Sequence, residues 1–170
     1  TFLASGRATA TPGTGFTITG LTRAADGTWW AANQGQAEPD DSSYTPSLVH
    51  LSADFSTLLG EINLPSPARA IQGLAYKPST GELFVGSLSE RLIRVYNEDG
   101  TYVRSISPTE GTSVNGLAYD PTLDAIIVGH ENGNAKLLVI EWQSATTGEF
   151  IKSITVAYEP DHLFFDPGYG

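Results

Sequence analysis

The sequence predicts an all-β protein assembled from β-propeller blades that form an incomplete ring, and three observations predict it. One phrase recurs: Ile18-Thr19-Gly20-Leu21, Ile71-Gln72-Gly73-Leu74 and Val114-Asn115-Gly116-Leu117, with a degraded fourth copy at Pro160-Asp161-His162-Leu163. A spacing of roughly 40–50 residues between units of short strands is the period of a propeller blade. Each copy also continues in the same way, an apolar strand leading through a turn into a second strand. Gly, Pro and Asp mark the stops, and β-branched and aromatic residues fill the runs between them. Finally, no segment sustains a helical period, and 18 glycines and 10 prolines discourage one.

In chain order, Thr1–Ala10 is a candidate closing strand for a blade whose inner strands come from the other end. The first blade, about 16–63, reads as Ile18–Ala24, Thr28–Asn33, Ser47–Leu51 and Thr57–Asn63, with a long insert between its middle strands. The second, 71–106, reads as Ile71–Tyr76, Glu82–Ser87, Arg91–Tyr96 and Thr101–Ile106. Its turns are Lys77-Pro78-Ser79-Thr80-Gly81 and Asn97-Glu98-Asp99-Gly100. The third, 114–156, supplies Val114–Tyr119, Asp124–Gly129, Lys136–Trp142 and Glu149–Val156, and one extra strand follows at Asp161–Phe165. Four strands cannot bury two faces alone, so blades must stack around an axis. About three blades and one strand fall short of the roughly four to eight that close a ring. A naked blade face would expose apolar surface and unpaired strand edges. The expectation is a longer parent chain, or completion by a protein partner or by self-association.

At 170 residues and 18.1 kDa, the chain is long enough for one well-buried domain. No apolar run approaches the roughly 20 residues of a spanning helix, and the start carries no basic, apolar signal segment. Nine basic against nineteen acidic residues give a formal charge of −10. Such a surface repels phosphate backbones, which argues against nucleic acid, and suits a cationic partner or a divalent metal. The absence of cysteine excludes a disulfide framework, a thiolate nucleophile and a thiolate zinc site.

Propeller loops alternate between two faces. The hairpins Asp26-Gly27, Thr80-Gly81, Asp99-Gly100 and Thr147-Gly148 share one face and need positive φ. The longer loops share the other, which is the expected working surface. There the insert 34–44 carries Glu38, Asp40 and Asp41, oxygen ligands of the kind that suit Ca²⁺ or Mg²⁺, together with Tyr44, the aromatic argument for polysaccharide recognition. His130 opens a polar loop with Glu131 and two asparagines, a setting for acid–base or metal chemistry. Thr19, Gln72, Asn115 and Asp161 stand at equivalent places beginning each innermost strand, where a ligand on the axis would converge. Trp29 and Trp30 are neighbours in a strand and must point to opposite faces; packing is their expected role.

The repeats Gln72-Gly73-Leu74-Ala75-Tyr76-Lys77-Pro78 with Gly81-Glu82-Leu83-Phe84-Val85, and Asn115-Gly116-Leu117-Ala118-Tyr119-Asp120-Pro121, resemble the blades of six-bladed propellers. These include the NHL, senescence-marker-protein/gluconolactonase and SdiA-regulated groups and the esterase-like phytase domains. In the gluconolactonase-like enzymes an Asn before Gly-Leu is a divalent-metal ligand, and Asn115 fits that motif; Thr19, Gln72 and Asp161 occupy the matching places. The resemblance implies a metal-dependent hydrolase of lactones or phosphoesters, with Ca or Mg held by Asn115 and Asp161 and with His130 or His162 carrying a proton. The residues themselves favour a different reading. The incomplete ring, the acidic surface and the lack of a full catalytic constellation point to a non-enzymatic binding or structural module, in a secreted, cell-surface or virion setting.

Overall fold

The computed structural model describes residues 18–34, 46–64, 71–87, 90–109, 113–132 and 137–156. Among them, twelve strands fall into three four-stranded antiparallel sheets, each built from consecutive strands in simple order, and there is no helix. Blade 1 comprises β1 (Ile18–Arg23), β2 (Trp29–Asn33), β3 (Ser47–Leu51) and β4 (Leu58–Asn63). Blade 2 comprises β5 (Ile71–Lys77), β6 (Glu82–Ser87), β7 (Leu92–Asn97) and β8 (Tyr102–Ile106). Blade 3 comprises β9 (Gly116–Asp120), β10 (Ala125–Asn132), β11 (Leu137–Ser144) and β12 (Phe150–Val156). The innermost strands lie side by side, β1 against β5 and β5 against β9, so the sheets fan out as propeller blades. The expected extra strand at 161–165 and the closing strand at 1–10 lie outside the described residues.

The hairpins turn where the sequence places them. Gly27, Gly81, Gly100 and Gly148 all have φ between +72° and +88°, a region in which a Cβ is costly. Blade 3 puts Asp124 at the corner that Gly27 and Gly81 hold, with φ +47°. Its carboxylate accepts the Tyr119 hydroxyl at 2.9 Å and pairs with Lys77 at 2.7 Å.

Side chains alternate across each strand, so every blade has two faces. We call the face toward the preceding blade leading and the other trailing. Blade 2 shows both at work. Leu74, Tyr76, Leu83, Val85 and Tyr96 pack on Trp30, Ala32, Leu48 and Leu64 of blade 1. Their strand neighbours Ala75, Phe84, Ile93, Val95 and Ile106 pack on Val114, Leu117, Ile126 and Val128 of blade 3. Every residue of β6 is consequently buried. Trp30 joins the blade 1–blade 2 core and stacks on His50 at 4.3 Å, whereas Trp29 faces the other way and stacks on Phe55 at 5.0 Å.

The recurring Gly-Leu pair is the contact between blades. A Cβ placed on Gly20 would lie 2.6 Å from the Gln72 carbonyl oxygen and 3.0 Å from Leu74 Cβ. One placed on Gly73 would lie 2.8 Å from Leu117 Cγ. The glycine of each blade thus makes room for the inner strand and leucine of the next. Polar contacts reinforce the hairpin end of the blade 2–blade 3 seam. Lys77 Nζ reaches Asp124 and, at 3.1 Å, Thr146; Arg104 pairs with Glu82 of its own blade and donates to the Ala145 carbonyl of blade 3.

Candidate interaction surface

Three of the four axial candidates are described, and two of them are engaged in structure. The Thr19 hydroxyl donates to the Ile71 carbonyl at 2.8 Å, joining β1 to β5. Asn115 is buried; its backbone N–H donates to the Gly129 carbonyl, and its side-chain oxygen accepts the Ser113 hydroxyl at 2.8 Å. Gln72 is half-buried at the equivalent place on β5. Asp161 and His162 lie outside the described residues, as do Glu38, Asp40, Asp41 and Tyr44 of the acidic insert. Among the described residues, no three His, Cys, Asp or Glu side chains gather as a metal site.

His130 sits at the upper end of β10, closed off from solvent. Its Nδ1 lies 2.8 Å from the Ser113 carbonyl oxygen, and its Nε2 lies 3.0 Å from the carboxylate of Glu141, itself fully buried. Glu141 also accepts the Thr109 N–H at 2.8 Å and an N–H of Gln143. Thr109 and Ser113 belong to the connection between blades 2 and 3. The network therefore holds that connection against β10 and β11, by supplying acceptors and donors to a backbone that would otherwise be unpaired. Sequence reading missed Glu141 and Gln143. They alternate with Ile140 and Trp142, a pattern that ordinarily marks a solvent-facing row, and nothing in the sequence shows that a loop folds over them.

The leading face of blade 1 differs in kind. Superposing the repeats makes Ile18, Ile71 and Val114 equivalent, and likewise Leu21, Leu74 and Leu117. Ile71, Leu74, Val114 and Leu117 are 1%, 3%, 0% and 4% exposed, whereas Ile18 is 48% and Leu21 47% exposed. The strand register sets Arg23, Trp29, Leu51 and Leu58 in one row across the same face. The Arg23 guanidinium lies 5.8 Å from the Trp29 ring centre. The result is a half-open apolar surface with an aromatic stack and one cation, on the side where blades 2 and 3 each meet a neighbour. At the other end Ile154 is 49% exposed, although its equivalent on blade 2, Ile106, is 3% exposed.

No protein-family model matches the chain, and no curated protein matches its sequence. Several solved structures match its fold. Hydrazine synthase of Kuenenia stuttgartiensis is similar at a TM-score of 0.62 and 18% identity, over 85% of this chain and 38% of that one. The WD40 repeats of RRP9 give 0.61 and 13%, over 85% and 40%. A chain of the nidogen/laminin complex gives 0.66 and 19%, over 89% and 53%. The chain thus spans between about two fifths and half the length of these structures. At such identities the likeness concerns the fold alone, and that fold is a β-propeller, of which the described residues supply three blades.

Proposed function

We propose that this chain is a non-enzymatic docking module, a part of a propeller whose open blade faces bind protein. The observation that carries the reading is the contrast within the repeat: Ile18 and Leu21 stand half exposed where both later copies of each position are sealed. Covering the remaining exposed area of each would contribute roughly 1 kcal/mol, enough to favour a partner once several such residues act together. Structures of similar fold lend support, since one of them was solved as the nidogen/laminin complex. The formal charge of −10 would steer the module toward cationic partners.

The reading requires that the face be open in the chain itself. Leu21→Asp should therefore change folding stability by no more than about 0.5 kcal/mol, as at an ordinary surface position. Leu74→Asp, which buries the same carboxylate between blades, should cost more than about 4 kcal/mol. Urea denaturation of the two variants compares them directly. Equal losses would mean that position 21 is already filled, and the docking surface would not exist.

A further inference from the structure

Resting on that docking reading, we propose that the occupant of the leading face of blade 1 is another propeller blade of this same repeat, docked through its trailing face. The two internal seams show what covers a face of this chemistry. Leu74 is received by a glycine, Gly20, on the inner strand of the blade before it, and Leu117 by Gly73. The residue three places earlier is received by a small residue on the second strand. Ile71 packs with Ala32, and a Cβ on Gly86 would fall 2.5 Å from Val114 Cγ1. Farther out, blade 2 turns Phe84, Ile93 and Ile106 toward blade 3.

Ile18 and Leu21 keep the spacing and residue types of Ile71 and Leu74 and call for the same receiving surface. That surface has glycine opposite Leu21, alanine or glycine opposite Ile18, and a β-branched or aromatic row outside them. A helix lacks the flat, glycine-notched strand that lets two backbones approach this closely. The Lys77-type ion pair of the blade 2–blade 3 seam is absent from the requirement, because blade 1 carries Gly27 at the corner where blade 3 offers Asp124 to Lys77.

The test uses the full chain with a copy of residues 64–113, blade 2 and its following connection, inserted between residues 17 and 18. The inserted blade would present its own glycine pair to Ile18 and Leu21. A single cooperative thermal transition is expected, and Leu21→Asp, silent in the natural chain, should now lower the melting temperature by about 8 °C or more, as at a sealed position. Light scattering of the natural chain runs alongside. The proposal is overturned if Leu21→Asp stays silent in the extended chain while a control carrying the same copy between residues 113 and 114 folds cooperatively. It is overturned differently if the natural chain forms a dimer that Leu21→Asp dissolves and Ile154→Asp leaves intact: the leading face then takes a second copy of itself, and the docking reading stands. A dimer that both variants dissolve joins leading to trailing face and supports the proposal. A refused insert on a chain whose position 21 behaves as buried removes both.

Discussion

Gly20→Ala and Gly73→Ala test whether the Gly-Leu repeat acts as the spacing device between blades. Each adds one methyl at a seam, but the methyl meets different atoms. At Gly73 the nearest is Leu117 Cγ, at 2.8 Å, with Leu117 N at 3.0 Å and Gly116 C at 3.2 Å. At Gly20 the nearest is a backbone atom, the Gln72 carbonyl oxygen at 2.6 Å, followed by Leu74 Cβ and N at 3.0 Å. Overpacking of this kind costs about 1–3 kcal/mol, offset by roughly 0.4–1 kcal/mol because alanine restricts the unfolded chain. Gly73→Ala should therefore lose about 1–2 kcal/mol. Gly20→Ala should sit at the upper end, near about 2.5 kcal/mol, because the obstacle is main chain of β5, which cannot rotate away as a side chain can. Double-mutant cycles in urea separate the two cases. Leu117→Ala deletes the Cγ that Gly73→Ala strikes, so the pair should couple favourably by about 1 kcal/mol. Leu74→Ala keeps the Cβ and N that Gly20→Ala meets, and the carbonyl is untouched, so that pair should be additive. Equal coupling at both seams, or an alanine tolerated at both without loss, would refute the assignment of these glycines to blade spacing.

Other outcomes follow from the polar contacts. Replacing Glu141 by leucine leaves the Thr109 N–H, His130 and Gln143 without their buried acceptor and should cost about 3–5 kcal/mol in urea denaturation, with faster amide exchange at Thr109. Glu82 is held below its ordinary value of 4.5 chiefly by Arg104, and Asp124 below 3.8 chiefly by Lys77. Carboxylates depressed in the folded state stabilise it fully above their unfolded values, and that contribution fades as pH falls through the folded ones. Stability should therefore decline below about pH 4.5, and the Arg104→Gln, Lys77→Gln double variant should show a shallower decline; an unchanged slope would remove these pairs from the seam. Millimolar Ca²⁺ or Mg²⁺ should leave the melting temperature within about 1 °C, and a rise of several degrees would bring back a specific metal site, since a specific ligand must stabilise the state it binds.

The blades were legible because the period of alternation and the turn residues agree. Ser47–Leu51 and Glu82–Ser87 form strands with the bounds the sequence suggests, and Gly27, Gly81, Gly100 and Gly148 all take the positive φ that their hairpins demand. Strand ends were less legible where pairing outruns propensity. β10 continues to Asn132 because β11 offers partners as far as Leu137, although His130-Glu131-Asn132 reads as a loop. The polar residues were least legible. Thr19, Asn115 and His130 stand out as ligand candidates by residue type, yet a threonine bonded to the next blade's carbonyl and a threonine turned toward a ligand have the same local sequence. Their partners, Ile71, Ser113 and Glu141, come from another blade, a connection or another strand, which is tertiary information.

The same limit explains why the repeat itself carries the strongest functional argument. A single exposed leucine means little, because folded proteins expose much apolar surface. Three copies of one position convert exposure into a comparison in which residue type, strand register and twist are held nearly constant and the neighbour alone varies. Ile71 and Leu74 have blade 1 before them, and Val114 and Leu117 have blade 2; all four are sealed. Ile18 and Leu21 keep the apolar character that a seam requires, whereas a position belonging to solvent would carry no such requirement. The gradient along the chain has a corresponding form at the far side, where Ile154 repeats Ile106 without its cover. Apolar side chains retained at both outward seams are what the proposed docking of a further blade requires, and the Leu21 variants test that proposal at the leading face of blade 1.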